Sequence, residues 1–148
     1  MSKQNELPFE TTLHVRDHCM CLHVQRAARS LARRFDEALK PYGLTNQQFS
    51  LLMSLNRPEP PRMKEVALLL ALDRTTLTAN LKVLERRGLA RSDPDPDDKR
   101  SRLLALTDEG RRQLSAAVPA WRRTEEAIEA LLASGDADGL RKDLKALS

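Results

Sequence analysis

"LALDRTTLTANLKVLERRGLARSDPDPDDKRSRLLALTDEGRRQL", residues 70–114, decides the fold. Asp73 is a strong N-cap, because its carboxylate can accept an N–H of the first helical turn. From Arg74 to Arg87, Leu77, Leu81 and Leu84 recur at helical spacing and give that helix one apolar side. Gly88 supplies the left-handed residue on which helices end. Beyond it the texture changes. "LARSD" (89–93) and "SRLLALT" (101–107) read as two short strands around the acidic, proline-broken turn "PDPDDKR" (94–100). Thr107 then caps another helix, and Asp108 and Glu109 in its first turn suit the positive end of the helix dipole.

Immediately upstream, a short helix over Met63–Leu70, with the stripe Val66, Leu69 and Leu70, precedes a tight turn over 71–73. Helix, turn, helix, hairpin is the order of a winged helix-turn-helix. One helix braces across a DNA backbone, the second enters the major groove, and the hairpin reaches aside. The second helix suits that task. It offers Arg74, Thr75, Thr76, Thr78 and Asn80, short polar side chains and one arginine near the helix N-terminus, where base edges are reached. Lys82, Arg86 and Arg87 suit phosphates. The charge distribution agrees: five basic residues against one acid lie between Arg74 and Arg91, in a chain of net charge +4.

The remainder of the 148 residues reads as helical, with only five glycines, and the length suits one domain over 1–148 with a real core. A first long helix is expected from Val15 to Leu39, with Met20, Val24, Ala27, Ala28, Leu31, Phe35 and Leu39 on one face. Pro41 and Gly43 end it. Thr45, with Gln48 three residues on, forms a capping box for a second helix whose stripe is Phe49, Leu52, Met53 and Leu55. "RPEPPR" (57–62) is a stiff connector. The helix after Thr107 carries Leu114, Ala117, Val118, Trp121, Ile128, Leu131 and Leu132, and Pro119 is expected to kink it. "SGD" (134–136) breaks it, and a short amphipathic helix with Leu140, Leu144 and Leu147 closes the chain.

The expected architecture is thus mainly α with a small β-hairpin. A DNA-binding lobe over 45–106 is flanked by terminal helices over 10–40 and 110–147. Those helices carry apolar stripes with few partners inside the chain, so burial against a second copy, a homodimer, is expected. No apolar run reaches the roughly 18 residues that span a bilayer, and the N-terminus lacks the apolar core of a secretory signal. Two cysteines one residue apart make no disulfide framework. A cytoplasmic protein without a membrane partner is the expectation.

A second stretch, "DHCMCLHVQRAAR" (17–29), concentrates both cysteines and two of the three histidines. On a continuous helix His14, His18 and Cys21 fall at i, i+4 and i+7, a spacing compatible with three metal ligands. Cys19 and His23 form a separate pair on the more polar side. The two thiols then diverge by about 200° and cannot bridge each other. Cys21, at the edge of the apolar face, also fits a small core residue. A thiol near a helix N-terminus, beside protonated histidine, is biased toward thiolate. Activated by His18 or His23 it could serve as a nucleophile. Yet no glycine-rich loop, oxyanion-hole turn or carboxylate pair accompanies it, so no catalytic residue is assigned and no enzyme or cofactor is expected.

Residues 70–114, together with "LARRFDEALKPYGLTNQQFSLLMSL" (31–55), resemble the MarR regulators, and the resemblance covers nearly the whole chain. Its most specific piece is "DDKRSRLLALTDEG" (97–110). This matches the family's wing signature: an acid, any residue, Arg, a small residue, then a strand ending in Leu-Thr with Gly three residues after the Thr. The match implies that Asp98 and Arg100, with Lys99 between them, are the wing residues. The acid would brace the arginine, which enters the flanking minor groove, while Asp93, Asp95 and Asp97 stay solvated on the turn.

The resemblance further implies a dimer on a palindromic operator. Repression would be relieved by a small lipophilic or phenolic effector or by oxidation. Met20, Val24, Phe49, Met53 and Trp121 would line the effector pocket. "MCLHVQRAARSLARRF" (20–35) resembles the organic-hydroperoxide-sensing branch of the family, with Cys21 on its reactive cysteine and Cys19 as a resolving or intersubunit thiol. Oxidation to a sulfenic acid or mixed disulfide would then push the two DNA-reading lobes apart. Where that branch places tyrosines, this chain has Gln25 and Phe35, and its one tyrosine is Tyr42.

Overall fold

The computed structural model describes residues 6–148. Along the chain come α1 (Phe9–His18), α2 (Met20–Leu39), a 3-10 turn (Lys40–Tyr42), α3 (Asn46–Leu55), α4 (Met63–Leu70) and α5 (Arg74–Arg86). The hairpin β1 (Ala90–Asp95) and β2 (Asp98–Leu106) follows, then α6 (Asp108–Glu129) and α7 (Ala137–Ala146). The described residues group into two compact units, one up to residue 34 and one over 35–148.

In the first unit the expected single helix from Val15 is broken at Cys19, whose φ of −66° and ψ of 109° are extended. Helix also begins earlier than expected, at Phe9, after Pro8 with a φ of −62°. Across the break Cys19 N–H still reaches Val15 O at 2.8 Å, and His23 N–H reaches Cys19 O at 3.2 Å. Histidine rings dress the same stretch of backbone. His18 Nδ1 lies 2.8 Å from His14 O, and His23 Nδ1 lies 2.7 Å from Cys19 O. Among the described residues up to Arg34 no side chain is buried, and Val15, Met20, Val24 and Leu31 are exposed.

The second unit holds the core. Pro41 lies in the 3-10 turn, and Gly43, with a φ of 70°, turns the chain into α3. Both halves of the capping box form: Gln48 N–H donates to Thr45 Oγ1 at 3.2 Å, and Thr45 N–H donates to Gln48 Oε1 at 3.1 Å. α3 buries Phe49, Leu51, Leu52 and Leu55 and leaves Met53 outside, so its stripe is displaced toward Leu51. α4 buries Met63 and Val66 while Leu69, expected inside, is 61% exposed.

α5 buries Leu77, Leu81 and Leu84, as their spacing requires. Leu89 just before the hairpin, Ala90, Leu104 and Leu106 within it, and Leu114, Ala117 and Ala120 of α6 close the core. α6 continues through Pro119 as one helix to Glu129, so Leu131 and Leu132 of the expected stripe lie past its end. Each leucine buried here contributes about 2 kcal/mol relative to an exposed one.

Ala71, between α4 and α5, is the one non-glycine residue with positive φ among those described, at 52°. The left-handed region costs an L-residue about 1–2 kcal/mol. Ala71→Gly is therefore expected to raise stability by about 1 kcal/mol, after glycine's larger chain entropy is allowed for. A denaturant midpoint equal to or below wild type would show that the turn holds no strain.

Candidate nucleic-acid interface

Asp73 begins α5 in extended conformation, and its carboxylate receives Thr76 N–H at 2.7 Å and the Thr76 hydroxyl at 2.9 Å. The Thr76 backbone N–H first, and its hydroxyl second, hold the Asp73 carboxyl below its ordinary value of 3.8. A depressed folded-state pKa means that the cap's stabilisation is complete above 3.8 and is lost as pH falls through the lower folded value. Acid should therefore lower the thermal midpoint of wild type more than that of Asp73→Asn. Parallel acid limbs in the two proteins would remove Asp73 from the account.

With Leu77, Leu81 and Leu84 turned inward, Thr75, Ala79, Lys82, Val83 and Arg86 lie on the opposite side of α5 and are exposed, as is Arg74 at its start. Thr76, Thr78 and Asn80 are half-buried on the flanks. Thr76 is engaged in the cap, and the Thr78 hydroxyl donates to Arg74 O at 2.7 Å. Arg87, expected to be a phosphate ligand, is exposed and also reaches the body. Its guanidinium donates to Gly43 O at 2.7 Å and to Gln48 Oε1 at 3.2 Å.

The wing is longer than its sequence suggests. Antiparallel pairing runs regularly from Ala90–Leu106 to Pro94–Arg102, then jumps to Asp95–Asp98, so Lys99, Arg100 and Ser101 bulge out of register. The strands use most of the expected turn and leave only residues 96 and 97 between them. Asp98 Oδ1 accepts the backbone N–H of Arg100 at 2.9 Å. The acid therefore braces the backbone of the arginine, whose side chain stays exposed along with that of Lys99. Asp93 and Asp97 are exposed, as expected, but Asp95 is not. It is 4% exposed, because its carboxylate turns inward to Arg62, with Nε to Oδ2 at 3.1 Å, and to Asp97 N–H at 2.9 Å.

A cleft of about 430 Å³ joins these parts. Arg62, Met63, Lys64 and Ala67 from the start of α4, Arg74 from α5, and Asp98, Arg100, Ser101 and Arg102 from β2 line it. Five cationic side chains meet one carboxylate there. Three of them, Arg62, Lys64 and Arg102, were absent from the sequence-based set. None of the three had a local signal, and Arg102 lies in the regularly paired part of β2, beyond the bulge that holds Arg100. It also fastens the wing, donating to Ser92 O at 3.0 Å.

A second cavity, of about 460 Å³, is lined by Phe49, Ser50, Met53, Ser54, Leu69, Val118, Trp121 and Arg122. The Trp121 ring lies 6.4 Å from that of Phe35 and 6.2 Å from that of Phe49, nearly parallel to both. Of the expected effector-pocket residues, Phe49, Met53 and Trp121 gather here, whereas Met20 and Val24 are exposed on α2 in the other unit.

Cys21, expected at the edge of the apolar face, is exposed, and Cys19, expected on the polar side, is half-buried at the helix break. The break removes the continuous helix on which the His14, His18 and Cys21 spacing depended. His14 and His18 stack ring on ring, 4.1 Å between centroids. Among the described residues no group of three His, Cys, Asp or Glu side chains is arranged to hold a metal. Nor is any described helix long and apolar enough to cross a membrane.

The two-helix unit α4–α5, the adjoining hairpin and the basic cleft between them define a winged helix-turn-helix protein. Comparison with known proteins makes the assignment specific. Residues 42–101 match the model of the MarR family. The M. tuberculosis transcriptional regulator MosR, solved in complex with DNA, superposes with a TM-score of 0.80 at 39% identity, over 88% of this chain and 93% of that one. The transcriptional repressor CouR, bound to a 23-mer DNA duplex, gives 0.80 at 30% identity, over 97% and 99%. The organic hydroperoxide resistance transcriptional regulator of Bacillus subtilis is 30% identical over 91 residues, 62% of each chain. The chain spans between 49% and 65% of the length of the first curated relatives it matches. It belongs to the MarR family of winged-helix transcriptional regulators.

Proposed function

We propose that the protein is a dimeric, sequence-specific transcription regulator that binds a palindromic double-stranded operator and represses the genes beside it. The observation that carries this reading is the basic cleft in which Arg74 of α5 and Arg100 of the wing line one surface. Arg74, Thr75, Thr78 and Asn80 are placed for base edges, and Thr76 sets the helix start. Lys82, Arg86 and Lys99 face phosphates, and Arg100, with its backbone set by Asp98, takes the flanking minor groove. Exposed apolar side chains on the terminal segments, Val15 and Leu31 in one unit and Leu140, Leu144 and Leu147 in the other, supply the surface for a second copy. The complexes of MosR and CouR with DNA support the same reading.

The test is binding to a duplex from the region upstream of its own gene. Affinity should fall steeply with salt, with a slope of log K against log salt near −0.9 per phosphate neutralised. Half-sites about one helical turn apart should bind one dimer. Salt-independent association, or none, would end the proposal.

Release by a small lipophilic or phenolic effector fits the apolar cavity beside Trp121, where Arg122 could meet an acidic group. A second reading, release by thiol oxidation, is favoured by the exposure of Cys21 in the first turn of α2. The two part cleanly. Under organic hydroperoxide, Cys21→Ser should stay on the operator while wild type leaves it. If both respond alike, effector control through the cavity is the reading that stands.

A further inference from the structure

We propose that Arg62 is a DNA-phosphate ligand and that Asp95 is the residue that positions it. The inference rests on the DNA-binding reading above and adds a pair that neither the wing signature nor α5 includes. Arg62 stands where three parts of the lobe meet. It is the N-cap residue of α4, its backbone bridges to Leu103 of β2, and Pro61 O just before it accepts Leu104 N–H at 2.9 Å. The connector thus meets β2 through a single isolated bridge, and Arg62 at that junction is part of the lining of the basic cleft.

Its guanidinium is not free to wander. Nε is held 3.1 Å from Asp95 Oδ2, while the side chain as a whole is 51% exposed and that of Asp95 only 3%. One nitrogen is therefore anchored, and Arg62 lines both the basic cleft shared with Lys64, Arg74 and Arg100 and the neighbouring cleft where Asp95 lies. Asp95 in turn sits where the wing slips register, and its other oxygen takes Asp97 N–H at 2.9 Å. Asp95 Oδ2 has no well-aligned hydrogen-bond donor among the described residues, so its compensation is the charge of Arg62. A carboxylate removed from water at a wing tip is costly unless it is paired. Here the pairing also fixes the angle between the α4 N-terminus and the wing, two parts that would have to meet the same stretch of backbone.

The experiment is a double-mutant cycle on the full chain, with the upstream duplex titrated over a series of salt concentrations. Arg62→Ala should weaken binding about tenfold and make the salt slope shallower by about 0.9, the signature of one lost phosphate contact. Asp95→Asn keeps the acceptor for Asp97 N–H but loses the charge that holds Arg62. It should weaken binding severalfold in the wild-type background and not at all in the Arg62→Ala background. Equal losses from Asp95→Asn in both backgrounds would mean that Asp95 acts on the wing alone, and would overturn the pairing. Arg62→Ala with unchanged affinity and slope would overturn the proposal outright. Because Arg62 is half-exposed, that single substitution decides the matter even if Asp95→Asn folds poorly. Absence of salt-dependent binding by wild type would instead remove the DNA reading on which the pair depends.

Discussion

Gly110→Ala is expected to destabilise the protein by about 3 kcal/mol, at the upper end of the cost of overfilling a packed site, and to lower its thermal midpoint by about 10 °C. Taken alone, the helix argues the other way, because alanine in a helix interior is favoured over glycine by about 0.5–1 kcal/mol. Packing reverses the sign. Gly110 lies in the first turn of α6, its N–H donates to Thr107 Oγ1 at 3.0 Å, and the backbone of Leu89 passes directly over it. An added Cβ would overlap the Leu89 carbonyl oxygen and stand 2.9 Å from the carbonyl carbon.

Neither side can yield. Leu89 is 2% exposed, its N–H donates to Leu84 O at 2.9 Å, and its carbonyl accepts Thr107 N–H at 3.2 Å. Gly88→Ala is the control. That residue has a φ of 73° with nothing within 4 Å of a new Cβ, so its cost is conformational only, about 1–2 kcal/mol. A Gly110→Ala protein no less stable than Gly88→Ala would show that α6 can slide off Leu89, and that the hairpin and the long helix are not locked together.

The parts of the fold that were legible in the sequence are those whose determinant is local. Asp73, Thr45 and Thr107 each receive the third N–H of the helix they begin, as their side chains allow wherever they stand before a helical stretch. Leu77, Leu81 and Leu84 need only the helical period to point one way. What was not legible depends on contacts between distant residues. The break at Cys19 has no proline or glycine to announce it, and the histidine-to-carbonyl bonds around it involve a residue type with no strong capping preference. Asp95 looked like one more solvated acid in an acidic turn. Its burial follows from Arg62, 33 positions earlier, which only the folded connector brings beside it. The contacts of Arg87 were hidden in the same way, since its acceptors Gly43 and Gln48 lie far upstream. Charge composition locates a nucleic-acid surface, but tertiary contacts decide which cations remain free to use it.

That distinction gives the second large effect, a sorting of the arginines around α5 and the wing. Arg100→Ala should weaken binding to the upstream duplex by about thirtyfold, within the 1–3 kcal/mol expected of a good groove contact. Its fold should be intact, because the exposed side chain holds nothing and the bond to Asp98 runs through the backbone N–H, which alanine retains. Arg74→Ala should cost a similar factor on the preferred duplex and much less on one with altered half-sites, because a base-reading side chain is missed only where its base is present. Arg87→Ala is expected to invert the pattern, lowering the thermal midpoint by the loss of two hydrogen bonds and leaving the salt slope nearly unchanged, because its guanidinium is held by Gly43 and Gln48. All three substitutions remove one positive charge and have the same net effect on the chain's +4. If affinity followed net charge alone, the three variants would bind equally and share one salt slope, and the cleft would be no more than a generally basic surface. Three different combinations of affinity, specificity and stability are expected, because only two of these arginines line the cleft or its wing while the third holds the body together.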